Sequence, residues 1–131
     1  MATWANSIAY KPRQTMKKLS ITLGPGERWV IHHLLQEAVS TAHQRIQNLD
    51  YTQEDVQLHT AALLQADILQ RTNWDLTALK ERVYKFHPAA LSAIFLAIDN
   101  YWPWLTTESQ RHVCRNLNAK IYPLISKSFY E

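Results

Sequence analysis

The chain has one cysteine and two glycines among its 131 residues. A single thiol, Cys114, excludes an intrachain disulfide and a cysteine-built metal cluster, and it fits a reducing, cytoplasmic setting. The two glycines, Gly24 and Gly26, flank Pro25. So little glycine argues against a turn-rich β fold and for helices joined by short connections. It also leaves no glycine-rich phosphate loop and no Gly-x-Ser-x-Gly elbow. The first residues, Met1-Ala-Thr-Trp-Ala-Asn-Ser, do not show a basic start followed by an apolar core, so no secretory leader is expected.

The longest apolar run is also limited. From Ala89 to Ile98 only Ser92 is polar. Pro88 suits a first helical turn, and Pro103 forbids continuation beyond it. A helix of roughly 14 residues spans about 20 Å, whereas a bilayer needs about 20 apolar residues. The run predicts the central helix of a helical domain (about 88–102), buried on every side, and no membrane partner.

The expected architecture is all-α: a compact bundle of about five helices (25–131) around that central helix, preceded by a basic, partly extended N-terminal arm (1–24). Within the arm, Leu19, Ile21 and Leu23 alternate with Ser20 and Thr22, the period of a short strand with no evident partner. Ile31, Leu35, Ala38, Ala42 and Ile46 make one stripe of a first helix over 27–48. Thr52 with Asp55 has the spacing of a capping box for a second helix. Gln65 lies near the middle of that helix's apolar face, as either a satisfied buried amide or an interface group. Leu76, Leu79, Val83 and Phe86 predict a third helix over 74–86, with Asn73 as its cap. Thr106 or Thr107 caps a last helix, Thr107 with Gln110 having the capping-box spacing; the helix carries Val113, Leu117, Ile121 and Leu124, and Pro123 should kink or end it.

Charge is segregated along the chain. Residues 1–26 carry four bases and no acid, residues 27–108 six bases and ten acids, and residues 109–131 four bases and one acid. Two basic ends flanking an acidic middle either attract it within one fold or offer a surface to an anionic partner. On the last helix Arg111 and Arg115 are one turn apart and Asn118 continues the row, a set able to meet phosphates and base edges. The arm adds Lys11, Arg13, Lys17 and Lys18, with Tyr10 beside them for stacking on an unpaired base. The alternative for both segments is a solvated helix face and a solubilising tail.

Six histidines invite a metal reading. His33/Glu37, Asp55/His59 and Glu108/His112 each fall four apart on a helix, the spacing that puts two ligands on one face. Two of the three pairs lie off the apolar stripe, and neither His-Glu-x-x-His nor Glu-x-x-His occurs. These pairs are expected to be surface groups, and no metal or other cofactor is expected. Cys114 beside Val113 reads as packing, since residues two apart do not face each other on a helix.

Tyr101-Trp102-Pro103-Trp104-Leu105 cannot all turn inward from a short connection. These aromatics either close the end of the bundle or present protein-binding anchors, and Trp4 and Tyr10 of the arm offer further docking groups. The leading expectation is a non-catalytic interaction module, a small subunit or adaptor in a protein or nucleoprotein assembly whose partner is another protein chain or a second copy of this one. The alternative is a nucleic-acid-binding protein using the basic arm and the basic last helix. A third reading, a metal-dependent helical enzyme, is the least favoured.

Overall fold

A computed structural model describes residues 17–48 and 52–130, with side chains to 128. The elements run β1 (Leu19–Leu23), α1 (Pro25–Asn48), α2 (Gln53–Arg71), β2 (Arg82–Phe86), α3 (Pro88–Tyr101), a 3-10 turn (Trp102–Trp104) and α4 (Glu108–Tyr130). α3 packs against α1, α2 and α4, so the central placement of the apolar helix holds. The described body is mostly helical, but it has four helices and a two-stranded sheet rather than about five helices.

The expected third helix over 74–86 is replaced by a loop and a strand. β2 pairs antiparallel with β1, Ile21 opposite Tyr84 and Leu23 opposite Arg82. The helical spacing of Leu76, Leu79 and Val83 was coincidental, because these side chains are 40%, 87% and 65% exposed. What buries is the alternate set, Tyr84 partly and Phe86 fully, as a half-buried strand requires. β1 thus has its partner within the body, and Ile21 and Leu23 join the core.

Arg28 explains why the 75–80 loop lies where it does. It is fully buried in the first turns of α1. Its Nη1 donates to Leu23 O (2.8 Å) and Lys80 O (2.9 Å), and its Nη2 donates to Ala78 O (2.6 Å) and Asp75 O (3.4 Å). A planar fork of donors satisfies carbonyls that a loop would otherwise bury unpaired. From the other side, Trp74 meets Tyr84 and Phe86 with ring centroids 5.8 and 6.0 Å apart. Tyr84 Oη lies within donating distance of Asn73 O (2.9 Å) and Trp74 O (3.2 Å). Burial raises the Tyr84 phenol above its ordinary pKa, so the hydroxyl keeps the proton it donates. Asn73 caps no helix; its Oδ1 accepts from Asp75 N (3.2 Å), a local turn leading into the left-handed backbone of Asp75 (φ 54°).

The capping boxes appear as spaced. Thr52 N donates to Asp55 Oδ2 (2.8 Å) and Asp55 N to Thr52 Oγ1 (3.3 Å). At α4, Thr107 N donates to Gln110 Oε1 (3.3 Å) and Gln110 N to Thr107 Oγ1 (3.2 Å). Gln65 is buried and its Nε2 donates to Ala93 O of α3 (3.4 Å), a satisfied amide between helices. Two expectations need correction. α3 is not buried all round: Leu91, Ile94, Ala97 and Ile98 are in the core, but Leu96 is 49% exposed. Of the kink or end expected at Pro123, the end does not occur: α4 continues through it to Tyr130. That proline is exposed, so the carbonyl it leaves unpaired has access to water, while Ile121, Leu124 and Ile125 hold the helix to the core. No helix among the described residues is long and apolar enough to cross a membrane.

Candidate functional site

The exit of α3 is the part of the molecule where exposed aromatics and cations meet. The chain leaves α3 at Tyr101, makes the 3-10 turn Trp102-Pro103-Trp104, and is pinned at Leu105, which is 6% exposed. Leu105 N donates to Trp102 O (3.1 Å), and Pro103 fixes its own φ, so the turn is short and stiff. Trp102 and Trp104 nevertheless remain 42% and 59% exposed. Of the four residues Tyr101–Trp104, only Tyr101 packs against the core.

α4 returns alongside. Arg111 Nε donates to Leu105 O (3.2 Å), which holds its guanidinium 5.8 Å from the centroid of the Trp102 ring. A cation over an indole face in this range is attracted by the ring quadrupole. Arg111, Arg115 and Asn118 border one cavity of about 240 Å³ together with Asp99, Trp102 and Cys114. The row read from the sequence is therefore brought together, and with Trp102 added. Asn118 Oδ1 is buried there without a hydrogen-bond partner among the described residues, while Arg115 reaches Glu108 Oε1 (2.9 Å) in an exposed pair. Burial pushes the Cys114 thiol up to about 11, so it is a neutral wall of the cavity and not a thiolate nucleophile.

The other expected site residues do not join this cluster. Lys17 and Lys18 are exposed at the entry to β1 and do not line the cavity. Trp4, Tyr10, Lys11 and Arg13 lie outside the described residues. Among the described residues no three His, Cys, Asp or Glu side chains converge closely enough to hold a metal. Asp55 is engaged by Thr52, and Glu108 by Arg115.

Sequence reasoning missed Asp99 as a neighbour of the arginine row, because its approach depends on how α3 and α4 cross; Cys114, three residues from Arg111 and four from Asn118 on α4, was within reach of helical spacing. It also missed a second cavity, of about 220 Å³, that Trp104 shares with Trp29, His33 and Glu37. There a signal was available: residues 29, 33 and 37 recur at four and mark one face of α1.

No family model matches the chain, and neither a curated protein nor a solved structure is significantly similar to it.

Proposed function

We propose that this chain is a non-catalytic helical interaction module, a small subunit or adaptor in a protein or nucleoprotein assembly, and that the Trp102–Trp104 turn is its contact surface. The observation that supports this reading is the pair of indoles held exposed on a stiff turn, directly beside the buried anchor Leu105. Exposed tryptophan is costly in water and carries much of the energy of protein contacts when a partner covers it. A stiff turn also loses little conformational entropy on binding. Substituting both indoles (Trp102→Ala with Trp104→Ala) is expected to abolish association, whether with a second copy or a different chain, without loss of helix content. A double variant that associates as the unaltered chain does refutes the assignment of the turn.

A second reading is favoured by one observation, the convergence of Arg111, Arg115 and Asn118 on the cavity bordered by Trp102. An indole for stacking with cations for phosphate is the chemistry that single-stranded nucleic acid requires. Binding to single-stranded and duplex nucleic acid at two salt concentrations tests it. Affinity at low salt that falls steeply with added salt and is lost in Arg111→Ala supports this reading, and no affinity at low salt removes it.

A further inference from the structure

We infer that the second cavity, between Trp104 and the Trp29–His33 stack, binds an alkylammonium group: the ε-ammonium of a lysine presented by a partner chain. This deepens the interaction reading by naming the chemistry on the partner's side.

The cavity is electron-rich on several sides. α1 carries Trp29, His33 and Glu37 at successive one-turn intervals, and all three line it. The Trp29 and His33 rings stack with centroids 3.9 Å apart and planes 24° from parallel. His33 Nδ1 lies 2.8 Å from Trp29 O. A carbonyl only accepts, so Nδ1 carries the hydrogen of that bond, and in the neutral ring Nε2 is left as an acceptor. Glu37 is exposed and makes no hydrogen bond or ion pair with another described residue. Trp104 contributes a second indole from the 3-10 turn, while Leu34 and Leu105 supply apolar lining. Among the described residues no lysine or arginine borders the cavity.

These groups discriminate among ligand classes. The Trp104 indole and the stacked Trp29–His33 rings are electron-rich groups that attract a cation, and an ammonium also donates to a carboxylate and an imidazole nitrogen. The four-carbon stem of lysine suits the leucine lining, since such stems bury against apolar surface while the charged head stays polar. An anion would meet the Glu37 carboxylate, which has no cationic partner among the described residues. The cavity also reaches Thr106 and Gln110 at the start of α4, where the helix dipole favours negative charge. That influence is already answered locally. The Thr107 hydroxyl accepts from Gln110 N, the Gln110 side chain accepts from Thr107 N, and Glu108 sits in the same first turn.

The test uses the whole chain and no partner, so its failure leaves the role of the Trp102–Trp104 turn to be judged separately. The five indole N–H signals are followed by two-dimensional NMR, with Trp29, Trp74 and Trp104 assigned from Trp→Phe variants, during titration with Nα-acetyl-lysine methylamide. The Trp29 and Trp104 signals should move along one saturable curve while that of buried Trp74 stays in place. The uncharged Nα-acetyl-norleucine methylamide should bind at least about tenfold more weakly, and so should the lysine probe to Glu37→Gln. Glu37 is exposed, and circular dichroism verifies that the variant is folded. An absent or unsaturable shift, an equal response to the norleucine probe, unchanged binding by Glu37→Gln, or preferential binding of Nα-acetyl-glutamate each overturns the assignment.

Discussion

Arg28 Nη1 donates to the carbonyl of Lys80 at 2.9 Å, across 52 residues of sequence. That bond and its companions to Leu23, Ala78 and Asp75 join the start of α1 to the loop that feeds β2. The loop has little apolar anchoring of its own between Leu76 and Lys80: Leu79 is 87% exposed. A buried cation with carbonyl partners therefore does what a packed side chain does elsewhere.

Arg28→Met keeps the length of the stem and removes every donor. It should cost roughly 2–4 kcal/mol, because one buried and three partly buried carbonyl bonds are lost at once. Arg28→Lys retains the charge without the planar fork and should recover only part of that loss. Urea unfolding gives both values. A loss for Arg28→Met within about 0.5 kcal/mol, the range of surface substitutions, would remove Arg28 from this role.

The three consecutive residues Ile94, Phe95 and Leu96 should separate in stability. Ile94 is 1% exposed, Phe95 is half-buried against Tyr122 at 6.1 Å between centroids, and Leu96 is half exposed. Ile94→Ala should cost about 2–5 kcal/mol through lost burial and the cavity it leaves. Phe95→Ala should cost less, and Leu96→Ala least, as apolar area removed from water decreases. Equal losses at the three positions would contradict the placement of α3.

Much of this body was legible in the residues. α1, α2, α3 and both capping boxes follow from period and cap chemistry, which are local. β2 did not, because Leu76, Leu79, Val83 and Phe86 mimic a helical stripe, and only pairing with Leu23, 59 residues earlier, identifies Arg82 as strand. Val83 to Phe86 also alternates, outward and inward, and the strand that holds it, Arg82–Phe86, matches Leu19–Leu23 in length; pairing the two would have exposed the error. Nothing in the sequence singled out Arg28, since its four carbonyl partners come from backbone that no side-chain pattern announces. The arginine row was legible as a row, but its meeting with Trp102 depends on tertiary packing.

The cap of α2 predicts an acid-sensitive contribution. The Thr52 hydroxyl and backbone N–H both donate to the Asp55 carboxylate and hold it below its ordinary value of 3.8. A carboxyl depressed in the folded state stabilises fully above its unfolded pKa and loses that contribution as pH falls through the folded value. Asp55→Asn removes the titration. The stability difference between the unaltered chain and this variant should be constant near neutrality and shrink as pH drops below about 3.8. A difference that grows with acid would contradict the cap.

Cys114 is 4% exposed and its thiol is raised to about 11 by burial. At pH 8 a disulfide reagent should label it far more slowly in the native chain than in denaturant, since the thiolate is the reacting form. Equal rates in both would place the thiol at the surface.

Association itself is the most direct test of the interaction proposal. The unaltered chain and the Trp102→Ala/Trp104→Ala variant are compared at matched concentration, by light scattering for self-association and by quantitative co-purification for a foreign partner. The account predicts a stoichiometric complex for the unaltered chain that is lost in a variant with unchanged circular dichroism. A chain that stays monomeric and retains no partner, or a variant that associates equally well, would contradict it.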